Sequence, residues 1–199
     1  MNKSRKSPVF SIFILASILA GCTGLTQSNK PATKTWWLKP YVDMRSESVQ
    51  VQPASLEVSV RVVPGLDSER ILTLSNDSEL SQFTAARWTE NLPELVTSLV
   101  SRTLEESGRF EMLHDQAGGK SDSCKLQLEV REFFAELSQS EKVSGVRIAM
   151  SGVNHCKISG SVVLELDASV AVYDERMSVI VAAFQQALDE VMKEMLRKL

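Results

Sequence analysis

The chain has 199 residues, 22 Lys and Arg against 25 Asp and Glu, and 43% hydrophobic residues. That fits one ordinary domain and excludes wholesale disorder, and nine Gly with six Pro are too few for a low-complexity or collagen-like chain. A formal charge of −3 argues against a general nucleic-acid binder, and no apolar run reaches the roughly 18 residues of a helical membrane span.

The N-terminus reads as an address. Residues 1–8 carry Lys3, Arg5 and Lys6 and no acid, and residues 9–20 (VFSIFILASILA) carry no charge. A basic start followed by a short apolar run is the pattern of a secretory signal peptide. Leu19-Ala20-Gly21-Cys22 then looks like a bacterial lipobox, in which the Cys is acylated and becomes the first mature residue. The alternative is a short buried helix with an incidental Cys. On the lipobox reading, residues 1–21 are signal peptide and Cys22 carries a covalent lipid. Removing residues 1–21 takes away three cations and leaves a charge of −6. Attachment then rests on acyl burial, worth about 0.8 kcal/mol per CH₂, and no other cofactor is implied. Thr23, rather than Asp, follows the Cys, which points to the inner leaflet of the outer membrane, facing the periplasm, rather than to the inner membrane.

Residues 22–35 read as the lipidated Cys and a polar, flexible tether. Residues 23–35 would reach at most about 45 Å. Residues 36–199 are expected to form a single domain. Trp36-Trp37-Leu38 opens it as a first strand. The paired Trp fit either a core or a lipid interface, and core is the simpler reading.

Residues 56–63 (LEVSVRVV) alternate as a half-buried strand, which Pro64-Gly65 ends. Ile71, Leu72 and Leu74 mark another strand, Ser75-Asn76-Asp77-Ser78 a turn, and residues 80–88 a short strand. Residues 90–107 read as a helix through Leu92, Leu95, Val96, Leu99, Val100, Thr103 and Leu104, with Thr89 as N-cap, Pro93 near the start and Gly108 just past the end. Residues 110–113 make a brief strand. The loop 115–123 contains Gly119-Lys120-Ser121, but His114 stands where a phosphate-binding loop needs its first Gly, so nucleotide binding is not expected.

Residues 124–137 and 143–153 read as a hairpin around the polar turn SQSEK. Folding it about Ser140 places Leu128 opposite Gly152, Val130 opposite Met150, Phe134 opposite Val146, and Cys124 opposite Cys156. Opposed residues lie within disulfide range, and the periplasm is oxidising. A bridge between Cys124 and Cys156 is the expectation. Free thiols and a metal site using His155 or His114 stay open, although the spacing matches no familiar zinc pattern. Residues 157–168 supply a third sheet strand. Residues 177–198 form a long helix whose apolar stripe includes Met192 and Met195, which suit a core or an adaptable partner surface.

The layout predicts an α+β domain: a two-layer structure with a mostly antiparallel sheet and two amphipathic helices on one face. No catalytic constellation or dense metal-ligand cluster stands out, with two His in the whole chain, so no enzyme is expected.

The order of these motifs resembles the ABC-type transport auxiliary lipoproteins, the PqiC-like family of Gram-negative envelopes. The likeness rests on the lipobox at 19–22, on Trp36-Trp37-Leu38-Lys39-Pro40, and on Val62-Val63-Pro64-Gly65-Leu66 ahead of Arg70-Ile71-Leu72-Thr73. Arg87-Trp88, Leu92, the strand LQLEVREF and the terminal amphipathic helix complete it. The resemblance covers roughly residues 36–198. It departs from the usual pattern in having a Trp pair where a Tyr pair is expected, and in the hairpin cysteines. The resemblance implies a non-catalytic subunit that supports lipid trafficking between the two membranes alongside an MCE-domain protein and inner-membrane transporter components. A homo-oligomeric ring is one form this could take. Arg87 and Trp88 are candidate partner contacts, since Trp and Arg are common interface anchors; the alternative is that Trp88 packs beneath the first helix. A scaffold for envelope assembly and a periplasmic lipid-binding carrier are the other functional classes.

Overall fold

The computed structural model describes residues 32–42, 54–113, 123–157 and 160–199. The segment read as signal peptide, Cys22, most of the segment read as tether, His114 and residues 119–121 lie outside the described residues. Thr33–Leu199 form one compact unit.

The chain contributes β1 (Lys34–Trp36), β2 (Ala54–Val62), β3 (Arg70–Ser75), β4 (Glu79–Trp88), α1 (Leu92–Glu106), β5 (Phe110–Met112), β6 (Cys124–Leu137), β7 (Val143–Cys156), β8 (Gly160–Ala171) and α2 (Met177–Lys198). The first strand begins two residues inside the segment read as tether. Lys34 and Thr35 pair in parallel with Ala86 and Arg87.

The long strand β6 organises the sheet. Along one edge it pairs antiparallel with β7, which in turn pairs antiparallel with β8. Its other edge is divided. The first half takes β2 in parallel, from Leu56 opposite Cys124 to Val62 opposite Val130. The second half takes β3 in parallel, with Thr73 opposite Ala135. Between them the chain leaves the edge through Pro64-Gly65, where Gly65 has φ 97°, a conformation that costs glycine little. The β3–β4 hairpin turns at Asn76 and Asp77, both with positive φ, residue types that tolerate it.

The architecture is α+β, as expected, but the sheet is mixed rather than simply antiparallel. The β1–β4, β2–β5, β2–β6 and β3–β6 ladders are all parallel. The long β6–β7 and β7–β8 ladders keep the antiparallel character.

Alternation along β6, β7 and β8 sends Leu126, Leu128, Val130, Ile148, Met150, Leu164 and Leu166 to the buried face. α1 packs on β2 and β5, α2 packs on β7 and β8, and the two helices touch. The α2 stripe is buried from Ile180 to Leu196, so Met192 and Met195 are core residues rather than a free surface. α1 starts later than the sequence pattern predicts. Asn91, not Thr89, is the N-cap, because the Asn91 carbonyl accepts the first helical bond from Leu95 at 2.9 Å. Gly108 follows the helix with φ 67°, and its amide donates to the Glu105 carbonyl at 2.9 Å.

The hairpin register holds from Cys124–Cys156 to Val130–Met150, then slips by one. A bulge between Val130 and Glu132 inserts Arg131, so Phe134 faces Arg147, and Val146 faces Ala135. Phe133 thereby reaches the central core at 2% exposure.

Candidate functional site

The two residues singled out as partner contacts stand at the end of β4, and adjacent strand residues point to opposite sides. Trp88 is 1% exposed. Its ring meets Phe133 edge-on at 5.9 Å and Phe184 at 5.1 Å, while Phe133 stacks on Phe184 at 5.3 Å. The indole is therefore the centre of the core and offers no surface to a partner. Its aromatic partners come from β6, through Phe133, and from α2, through Phe184, and it shares one core with the buried residues of α1. Arg87 points outward. Its guanidinium pairs with Glu69 at 3.1 Å and its Nε donates to the Thr35 hydroxyl at 3.3 Å, which braces β1 against β4.

The chain that follows β1 is held across the helices, an arrangement the sequence reasoning missed. Leu38 is fully buried. The Lys39 amide donates to Gln185 Oε1 at 2.8 Å, and Gln185 Nε2 donates to the Lys39 carbonyl at 3.0 Å. The Tyr41 amide donates to the Thr103 hydroxyl at 3.0 Å. Gln185 Nε2 also donates to Asp189 Oδ1 at 2.8 Å. Partial burial pushes the Asp189 carboxyl above the usual carboxylate range, with the Gln185 bond acting the other way and the nearby Glu190 charge adding to the rise. No sequence signal marked it, since Gln185 is a polar residue at the border of the apolar stripe, one position from the buried Phe184.

Cys124 and Cys156 are joined by a disulfide, with Cα atoms 4.1 Å apart. It closes the open end of the β6–β7 hairpin beside Asn154, whose amide nitrogen lies 3.6 Å from Cys156 Sγ. His155 points to the other face, where Nδ1 is 2.6 Å from the Ser161 hydroxyl. Among the described residues no group of three or more His, Cys, Asp or Glu could hold a metal.

The outer face of the sheet is mainly charged, with Val153 and Val163 exposed on it. Lys125 pairs with Glu57 at 2.9 Å, Arg147 bridges Glu132 and Glu136, and Arg131, the bulge residue, reaches Glu129 and Glu165. Exposed pairs of this kind contribute little each, so this face is a solvated surface. A shallow depression of about 160 Å³ beside Arg61, Gln127, Ser151 and Gly152 interrupts it. Gly152 lies close against β6: a Cβ there would fall 2.2 Å from the Gln127 carbonyl oxygen.

The family model of the ABC-type transport auxiliary lipoprotein component matches residues 41–196. The chain belongs to that family. Membership gives it an accessory, transport-associated role as a lipoprotein component. No helix among the described residues is long and apolar enough to cross a membrane. Solved structures share the fold. A protein from Xanthomonas campestris is similar at 18% identity and a TM-score of 0.64, covering 83% of this chain and 92% of its own. A second crystal structure, of an uncharacterized protein, aligns at 13% identity and a TM-score of 0.61, covering 83% and 97%. No curated protein matches the sequence.

Proposed function

We propose that this auxiliary lipoprotein is a non-catalytic, periplasm-facing subunit of an MCE-type lipid transport system. It is anchored in the outer membrane through lipidated Cys22 and works beside inner-membrane transporter components, supporting lipid traffic between the membranes and envelope integrity. The family match over residues 41–196 carries this reading, together with the lipobox-like Leu19–Cys22 ahead of it.

The interior favours a docking subunit over a carrier. A carrier would need an enclosed apolar space between helices and sheet, of the roughly 300–1,000 Å³ that small-molecule sites occupy. The middle of that layer is filled by Trp88, Phe133 and Phe184, each under 3% exposed. Partners would meet the surface instead, with Arg87 a contact to test.

The experiment is a pull-down of the full lipidated protein from membranes after mild cross-linking, with mass spectrometry of proteins and lipids. Enrichment of an MCE-domain protein or a transporter subunit is the expected result, and cross-linked multimers would count like subunits. Recovery of cell-wall or outer-membrane assembly proteins alone would replace the reading with a scaffold. Stoichiometric lipid without protein partners would replace it with a carrier.

A further inference from the structure

Trp37 is 63% exposed although the chain on both sides of it is fixed. Trp36 is paired with Trp88 in the β1–β4 ladder. Leu38 is fully buried, and the Lys39 peptide is clamped by Gln185. An extended chain alternates its side chains, so turning Trp36, partly buried, and Leu38, fully buried, toward the core turns residue 37 outward. The exposed indole is thus held at a set place on the surface. Val42, 50% exposed, adds apolar area on the same segment, and Lys34 and Lys39 are exposed beside it.

We propose that Trp37 is a membrane-interface anchor, entering the head-group layer of the membrane that holds Cys22 and seating the domain against the lipid surface. This rests on the reading of Cys22 as the lipidated residue. Position along the chain selects lipid as the occupant. Residues 23–33 alone separate Cys22 from β1, and a link of that length reaches at most about 40 Å. Whatever path the link takes, the surface around Lys34 cannot lie farther than that from the membrane that holds Cys22. An indole is amphipathic and favours the head-group region, and the two lysines suit anionic head groups there. Tethering makes even weak partition sufficient, since a short link sets an effective concentration in the millimolar range.

The test uses the full lipidated chain reconstituted in vesicles of phosphatidylethanolamine and phosphatidylglycerol, with and without phosphatidylcholine brominated on its acyl chains. The chain has three Trp, so Trp37→Phe leaves Trp36 and Trp88 as internal controls. The expected result is quenching of the wild-type fluorescence by brominated lipid, and loss of that quenching in Trp37→Phe. Quenching that is absent, or that survives Trp37→Phe, in a chain that floats with the vesicles overturns the anchor. A chain that does not float with the vesicles at all refutes the lipidation of Cys22, and the Trp37 anchor falls with it; Cys22→Ser gives the unanchored reference.

Discussion

Gln185 holds Lys39 at both ends of its peptide, accepting from the amide and donating to the carbonyl as a neighbouring strand would. A helix side chain thereby does the work of a β ladder, and the segment after β1 is secured where no described strand pairs with it. Replacing Gln185 by Ala removes three hydrogen bonds at once. Local opening of residues 38–41 should become easier by about 1–2 kcal/mol, or roughly tenfold in amide exchange at Lys39. Hydrogen exchange by mass spectrometry reads this directly. Unchanged protection there would show that buried Leu38 and the Tyr41–Thr103 bond hold the segment without Gln185.

Asp189, which orients Gln185, gives a pH-dependent prediction. Its folded-state pKa is raised mainly by burial, so the folded protein disfavours the carboxylate. Its contribution is most favourable below the ordinary aspartate pKa and is lost as pH rises through the raised value. Asp189→Asn keeps an acceptor for Gln185 and should raise the melting temperature at pH 7. The gain should shrink and disappear as pH falls below about 4. Melting curves between pH 3 and 7 check it, and a gain independent of pH would contradict it. Glu194 acts in the opposite sense: its hydrogen bond to Arg197 holds it down to about 2, so its contribution is present above the ordinary glutamate pKa and fades as pH falls toward 2.

Gly152 has the closest surroundings of the described glycines. An added methyl would meet the Gln127 carbonyl oxygen at 2.2 Å and Leu128 Cδ2 at 2.7 Å. The first of these is backbone and cannot swing away. Gly152→Ala should cost about 3 kcal/mol, the upper end for overpacking, read as a lower urea midpoint. A midpoint within error of wild type would mean that β6 and β7 can part at this place without loss.

The disulfide links residues 32 apart in sequence. In the chain-entropy account, closing such a loop stabilises by about 3–4 kcal/mol. The double substitution Cys124→Ser, Cys156→Ser should lower stability by that order, and reductant should lower the wild type to a similar level while leaving the double variant unmoved. Sensitivity of the double variant to reductant would point to another thiol.

Trp88 and Arg87 should separate cleanly. Trp88→Ala should cost about 3–5 kcal/mol, as large aromatic truncations in a packed core do. Arg87→Ala, at an exposed pair, should cost under about 1 kcal/mol. Capture of partners by the folded fraction should be unaffected in the first and is the informative readout in the second. Loss of capture by folded Trp88→Ala, with stability unchanged, would reverse the assignment of the two residues.

These results show which features the sequence carried. The α2 stripe from Ile180 to Leu196 was legible because its helical period runs unbroken, and the structure places the helix at Met177–Lys198. The opposed Cys124 and Cys156 could be read because a period of two and a polar turn fix the register near them. The slip at Arg131 could not be read: Phe133 and Phe134 are both apolar, so the pattern fits either phase. Alternation in LEVSVRVV shows a half-buried strand but says nothing about its direction or neighbour, which is why the parallel joins of β2 and β3 to β6 were invisible. For the candidate site, adjacency was the missed clue. Arg87 and Trp88 sit on opposite faces of β4, so they could not serve one interface together. Gln185 gave no pattern, because an amide at the border of an apolar stripe looks like any solvated position.

The order of attachment at the N-terminal side has a mechanical consequence. A pull on the chain ahead of Lys34 meets the three-residue strand β1 first, braced by Arg87, then the Leu38 plug and the Gln185 clamp. None of these belongs to the β6–β7–β8 ladders. The domain therefore has a short sacrificial strip: tension on its N-terminal side can peel residues 34–41 and lengthen the free chain by several residues, while the disulfide-closed hairpin behind it keeps its shape and the strip is free to zip back when the load falls.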